Sequence, residues 1–284
     1  MCIRSTLNPS WPARRGLLAA ALVSLMLAPA PTDATAAPDN PMQPSPVWDD
    51  LQYDILGDLD PAPAAGALDL SAPFRAHDPA LVPVRLTQPP GAPELRELVL
   101  VVDENPAPVA ATITLSPAMH PLDLELRVRV ERYSNIRAIG LTTEGAGLMD
   151  GRFVRATGGC AAPAAKDAAA ALAQMGQMRL QHLGTVRDDG GQRHSVKLML
   201  RHPNYSGLQR DQRTLLNIPA HFIDVLEVRQ GDDLLFAVEG GISVSEDPVY
   251  QFSFRDNGTE WLDIRATDTR GSVFVRRLPL PAAP

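Results

Sequence analysis

Between residues 124 and 131, Leu124, Leu126, Val128 and Val130 alternate with Glu125, Arg127, Arg129 and Glu131. A period of two marks a β-strand with one buried face. Further short strands are predicted over 98–102, 112–115, 136–142 and 152–157, with Asn105-Pro106-Ala107-Pro108 closing the first of them. Later in the chain Val196, Leu198 and Leu200 share a face, as do Leu234, Phe236 and Val238, then Tyr250, Phe252 and Phe254. Turn clusters such as Asp188-Asp189-Gly190-Gly191 and Asp256-Asn257-Gly258 separate these runs. Many short strands without intervening helices predict antiparallel β-sandwiches. Residues 38–47 read as a disordered Pro-rich leader, and 49–55 as a short helical turn or strand. The stretch 158–178 differs from both flanks: it opens Gly158-Gly159-Cys160 and continues alanine-rich, with too little apolar bulk for a core. It is expected to link two sandwiches.

Length and charge sharpen this picture. The chain has 284 residues, enough for two domains of roughly 100 to 150 residues each. Arg4, Arg14 and Arg15 precede an apolar run over 16–28, and Ala34-Thr35-Ala36-Ala37 follows it. A positive start, a short greasy run and a small-residue site are the parts of a secretory signal peptide, and the run is short for a membrane span. The expected layout is 1–37 signal peptide, 38–157 first sandwich, 158–178 Cys-bearing linker and 179–284 second sandwich. Cleavage would remove three arginines and Asp33, taking the formal net charge from −7 to −9. Such an acidic exported protein has no electrostatic case for nucleic acid or for stable membrane association after cleavage.

Cleavage would also remove Cys2 and leave Cys160 as the one thiol. A lone cysteine in an oxidising compartment is buried and inert, paired with another chain, or chemically active. Gly158 and Gly159 supply no side chains to pack, and Ala161 and Ala162 leave the other side open, which favours a functional thiol. A cupredoxin-type copper site would need a histidine soon after the cysteine, yet none lies between Cys160 and His182. The six histidines show no HxH or HxxxH spacing, and His202 and His221 are expected to support the fold or a docking surface. No GxSxG, HExxH or phosphate-loop motif is present. Neither a cofactor nor a metal site is expected, and the chain reads as a non-enzyme.

The order of motifs resembles a fusion of SoxY and SoxZ, the sulfur-compound carrier of bacterial thiosulfate oxidation. Val101-Val102-Asp103-Glu104-Asn105-Pro106-Ala107-Pro108 is similar to the SoxY strand and turn, and Val154 through Gly158-Gly159-Cys160 to its terminal arm. Arg201-His202-Pro203, Ser206-Gly207-Leu208, Ile218-Pro219-Ala220-His221-Phe222-Ile223 and Ser243-Val244-Ser245-Glu246-Asp247-Pro248 resemble SoxZ. The resemblance implies two immunoglobulin-like sandwiches, a SoxY-like one over 38–157 and a SoxZ-like one over 179–284. It also implies covalent attachment of a sulfur species or other small group at Cys160, with Gly158 and Gly159 giving the arm its flexibility. Ala161-Ala162-Pro163 and a fused second domain replace the free SoxY terminus, so the arm is a loop held at both ends. This variant resembles the SoxYZ-like carriers associated with quinoprotein alcohol dehydrogenases. The implied partners are periplasmic sulfur-metabolising or quinoprotein dehydrogenase enzymes and c-type cytochromes, with export by the Sec or twin-arginine route.

Chemistry at Cys160 needs thiolate. A helix opening at Pro163, with Arg152, Arg155 and Lys166 nearby, would favour the anion and predicts a mildly activated thiol. The alternative is a non-covalent adaptor for a quinoprotein dehydrogenase system, in which Cys160 is dispensable.

Overall fold

A computed structural model describes residues 40–163, 168–188 and 190–280. The expected signal peptide, Cys2 and Lys166 lie outside the described residues.

The first half contributes helix α1 (Pro46–Leu56) and strands β1 (Ala62–Pro63), β2 (Asp69–Ser71), β3 (Val82–Thr87), β4 (Leu95–Val102), β5 (Val109–Leu115), β6 (Asp123–Val128), β7 (Ser134–Thr142) and β8 (Gly147–Val154). After the short helix α2 (Ala168–Ala173), the second half supplies β9 (Met178–Asp188), β10 (Gly191–Leu200), β11 (Ile223–Gln230), β12 (Asp233–Gly240), β13 (Val249–Arg255), β14 (Trp261–Asp268) and β15 (Val273–Pro279). The chain is all-β, with two sheets packed as a sandwich in each half. No helix among the described residues is long and apolar enough to cross a membrane.

Both sheets run through both halves. The larger has the order β1-β8-β7-β4-β5-β12-β11-β14-β15, and the smaller β2-β3-β6-β13-β10-β9. The halves meet where β5 pairs antiparallel with β12, in a register from Phe236 opposite Leu115 to Gly240 opposite Ala111. In the smaller sheet β6 meets β13 only at Leu124–Phe252 and Glu125–Gln251. The inward residues of these strands form one core that includes Leu115, Leu124, Phe236 and Phe252. Fully burying each such side chain contributes about 1.5–3 kcal/mol, so the junction is a continuation of the core rather than a contact between finished surfaces. The two sandwiches are therefore joined by shared sheets as well as by the 158–178 segment.

The leader expectation is corrected from residue 40 onward. Asn40 is buried and its Nδ2 donates to the carbonyls of Ala72 (3.2 Å) and Phe153 (2.9 Å). Ser45 caps α1 by accepting from the Trp48 amide, and Pro46 occupies the first turn, where a missing N–H costs nothing. Trp48 then packs on Val101 and Ile139 of the larger sheet. The Arg137 guanidinium lies 4.4 Å from the Trp48 ring centroid and pairs with Asp103 at 2.8 Å.

Candidate functional site: a strapped thiol at the seam of the two halves

After β8 the chain turns across the seam. Gly158 takes a left-handed conformation (φ 81°), which a residue with a side chain rarely adopts, and its N–H donates to Glu131 O at 2.8 Å. Gly159 donates to Val130 O at 3.1 Å. A Cβ on Gly159 would lie 2.1 Å from Pro79 O and 2.7 Å from Val130 O, so only glycine fits this approach. The Cys160 amide donates to Glu131 Oε2 at 2.8 Å, and its carbonyl accepts from Ser206 Oγ at 2.5 Å. Ser206 belongs to the second half, so Gly158–Cys160 is a strap held by both halves.

The thiol is fully buried, at 0% exposure. The glycines do bring the backbone into close approach, but the partner is the chain itself. The open surroundings expected from Ala161 and Ala162 are corrected: in this conformation solvent does not reach the sulfur. Burial first, then the neighbouring Glu131 carboxylate, push the Cys160 pKa up to about 11, and Arg129 only partly offsets them. The expected activation is thus reversed here. Its supposed sources are elsewhere: Arg152 binds Asp150 and Asp69, and the Arg155 guanidinium stacks 4.7 Å from the Phe74 ring centroid. Residues 164–167, over which a helix opening at Pro163 would run, lie outside the described residues; the described helix α2 spans Ala168–Ala173.

Arg129 supplies the local positive charge. It occupies the polar register of the alternating run, yet it is 1% exposed, because residues 242–244 cover that face. Its Nη1 donates to Ile242 O (3.2 Å) and Val244 O, while its Nε has no hydrogen-bond partner. Burial lowers the Arg129 pKa, with Cys160 and Glu246 as the acidic groups that oppose this. Burial likewise raises the pKa of Glu246, against the pull of Arg129. Glu246 also lines a cavity of about 480 Å³ together with Leu81, Arg127, Met178, Arg179 and Arg201.

Asn105 holds the support of the strap. Its Nδ2 donates to Arg129 O (2.8 Å) and Ser243 Oγ (2.9 Å), and its Oδ1 accepts from the Glu131 amide (2.8 Å). Ser243 Oγ in turn donates to Ala107 O at 2.9 Å. The Asn-Pro turn, the Gly-Gly-Cys arm, Ser206 and the Ser243 segment, far apart in sequence, thus converge on one place. Arg129 and Glu131 were not among the expected site residues. Their only sequence signal is their position in the alternating run, which points outward. His202 and His221 lie elsewhere in the second half, buried beside Asp268.

The profile for sulfur oxidation protein SoxY matches residues 52–160, so that Cys160 is its last matched residue, and that for sulphur oxidation protein SoxZ matches residues 185–279. Among solved structures, the sulfur carrier protein SoxY from Chlorobium limicola f thiosulfatophilum is 23% identical, with 38% of this chain and 90% of that one covered and a TM-score of 0.33. A superoxide reductase (neelaredoxin) from Ignicoccus hospitalis is 15% identical over 32% of this chain and 82% of its own, with a TM-score of 0.29. No curated protein matches the chain.

Proposed function

We propose, since the chain belongs to the SoxY and SoxZ families of sulfur-oxidation carrier proteins joined in one polypeptide, that Cys160 is the covalent attachment point of its cargo. The observation that carries this reading is the strap. Four hydrogen bonds hold Gly158–Cys160, and each contributes on the order of 1 kcal/mol net, so release of the thiol is within thermal reach. The closed strap keeps the sulfur protonated and hidden; the released strap presents it. Attachment of a thiosulfate-type anion would form one S–S bond to Cys160 Sγ. The thiol gives up one proton, and two electrons pass to a redox partner such as a c-type cytochrome. The protein itself has no turnover in this scheme.

Sox carriers work with sulfur-oxidation enzymes. The finer assignment is a mature protein in the periplasm, exported through residues 1–37, that serves sulfur-metabolising or quinoprotein alcohol dehydrogenase enzymes. Its support is the charge and hydropathy pattern at the N-terminus and the resemblance to quinoprotein-associated carriers. Because the strap continues through α2 into β9, the thiol is tethered on both sides. That favours delivery to shallow partner sites.

Intact mass measured on freshly purified protein tests the reading. The expected result is an adduct of one or more sulfur atoms, removable by reductant and absent from Cys160→Ser. A chain that never carries a reductant-sensitive adduct in cells oxidising sulfur compounds would sink it. The burial of Cys160 favours one rival, a non-covalent adaptor. Full growth of a Cys160→Ser strain on the partner-dependent substrate would establish that rival instead.

A further inference from the structure

His202, His221 and Asp268 come together in the second half, each 2% exposed or less. Their ligand-type atoms lie within 4.8 Å of one another. Asn204 stands beside His202. Asn204 Nδ2 donates to Ser245 O (3.0 Å) and Asn204 Oδ1 accepts from the Ile223 amide (3.0 Å), which fixes the orientation of the side-chain amide. His202 Nδ1 is 2.7 Å from that same Oδ1. The Asn204 backbone N–H also donates to Nδ1, at 3.1 Å, so the hydrogen bonds of the His202 ring are made at Nδ1. The other ring nitrogen is His202 Nε2. It is buried, has no hydrogen-bond partner, and lies 3.6 Å from Asp268 Oδ2.

Asp268 is arranged in the same sense. Its Oδ1 accepts from the amides of Arg270 and Ser272, both at 2.9 Å, which leaves Oδ2 to face the two imidazoles. His221 Nε2 donates to Oδ2 at 2.8 Å, and His221 Nδ1 is buried without a partner. A carboxylate oxygen facing an unpartnered imidazole nitrogen in a dry site is stabilised by a cation shared between them.

We propose that His202 Nε2, His221 Nε2 and Asp268 Oδ2 form a binding site for a divalent first-row transition-metal ion. Two imidazoles and one carboxylate suit Zn²⁺ and its neighbours and are a poor set for Mg²⁺ or Ca²⁺. Bonds of about 2.0–2.2 Å place tetrahedral donors roughly 3.3–3.5 Å apart, so the 3.6 Å pair already stands near the required separation. His221 moves outward slightly and exchanges tautomer: the Nε2 proton leaves and Nδ1 takes one up, with no net release. Asn204 on His202, and the Arg270 and Ser272 amides on Asp268, are the outer hydrogen bonds that orient such ligands. The site is independent of Cys160 and stands whether or not the carrier reading does.

The test uses the full chain carrying Cys160→Ser, so that the thiol cannot ligate, stripped with chelator and titrated with Zn²⁺ by calorimetry. One saturable ion per chain is expected. His202→Gln should weaken it at least a hundredfold, and Asn204→Ala about ten- to a hundredfold. Thermal melts of the metal-free variants show whether each is folded. X-ray absorption of the Zn²⁺-loaded chain gives an answer even if they are not: imidazole scattering from two histidines is expected. Absence of saturable binding, an affinity unchanged by His202→Gln in a folded chain, or a spectrum without imidazole would overturn the proposal.

Discussion

The two halves meet in two quite different ways. Where β5 lies beside β12, backbone ladders and the Leu115, Phe236 and Phe252 side chains make the junction part of the core. At the Gly158–Cys160 strap, contact is a handful of hydrogen bonds between loops, around a buried arginine and a buried thiol. The first kind of contact opens only when the protein unfolds. Under the proposed function the second opens alone, since hydrogen bonds rather than core side chains hold it. The proposed carrier mechanism needs both: a fused body that stays assembled and one segment that does not.

The sharpest way to break this contrast is at the permanent junction. Phe236→Ala removes a 0%-exposed ring that packs on Phe252 at 4.8 Å between centroids, and should cost about 3–5 kcal/mol by urea unfolding. A loss below 1 kcal/mol would mean that the sheets are not continuous in solution. An intermediate effect comes from pH. The thiol ordinarily titrates near 9 and is held at about 11 in the closed fold. The folded chain keeps a proton that the unfolded chain releases, so this contribution is complete below pH 9 and is lost as pH rises through 11. Wild type should lose about 2–3 kcal/mol more than Cys160→Ser over that interval. Equal pH dependence in the two chains would show that the thiol is exposed on average. The smallest effect belongs to the strap itself. Ser206→Ala deletes the bond to the Cys160 carbonyl, should cost about 1 kcal/mol, and should speed alkylation of Cys160 several-fold with little change in the melting temperature. An alkylation rate that does not change would place the opening motion elsewhere.

These contrasts were only partly legible in the amino-acid pattern. The alternation at Leu124, Leu126 and Val128 does form β6, and the runs at Val196 and Tyr250 do form β10 and β13. Leu262, Ile264 and Ala266 alternate as cleanly and form β14, which lay outside the expected strands. β3 was obscured by Pro83, since a proline within an apolar run argues against a paired strand. β15 was obscured because its Val273 and Val275 point to solvent. The cysteine and its two glycines stood out as residue types, but their burial did not. Nor did the burial of Arg129, whose place in the alternation points outward until residues 242–244 close over it.

What the chain determined by itself was the class of structure and the unusual spot: short alternating strands, scarce helix, and one thiol after two glycines. Period-two patterning reports that a strand face is covered, and it does so locally, residue by residue. It cannot name what does the covering. The pairing of β5 with β12, the strap against Glu131 and Ser206, and the meeting of His202, His221 and Asp268 all join positions far apart in sequence. Only long-range packing brings those groups together, and with them the burial and charge that set their chemistry.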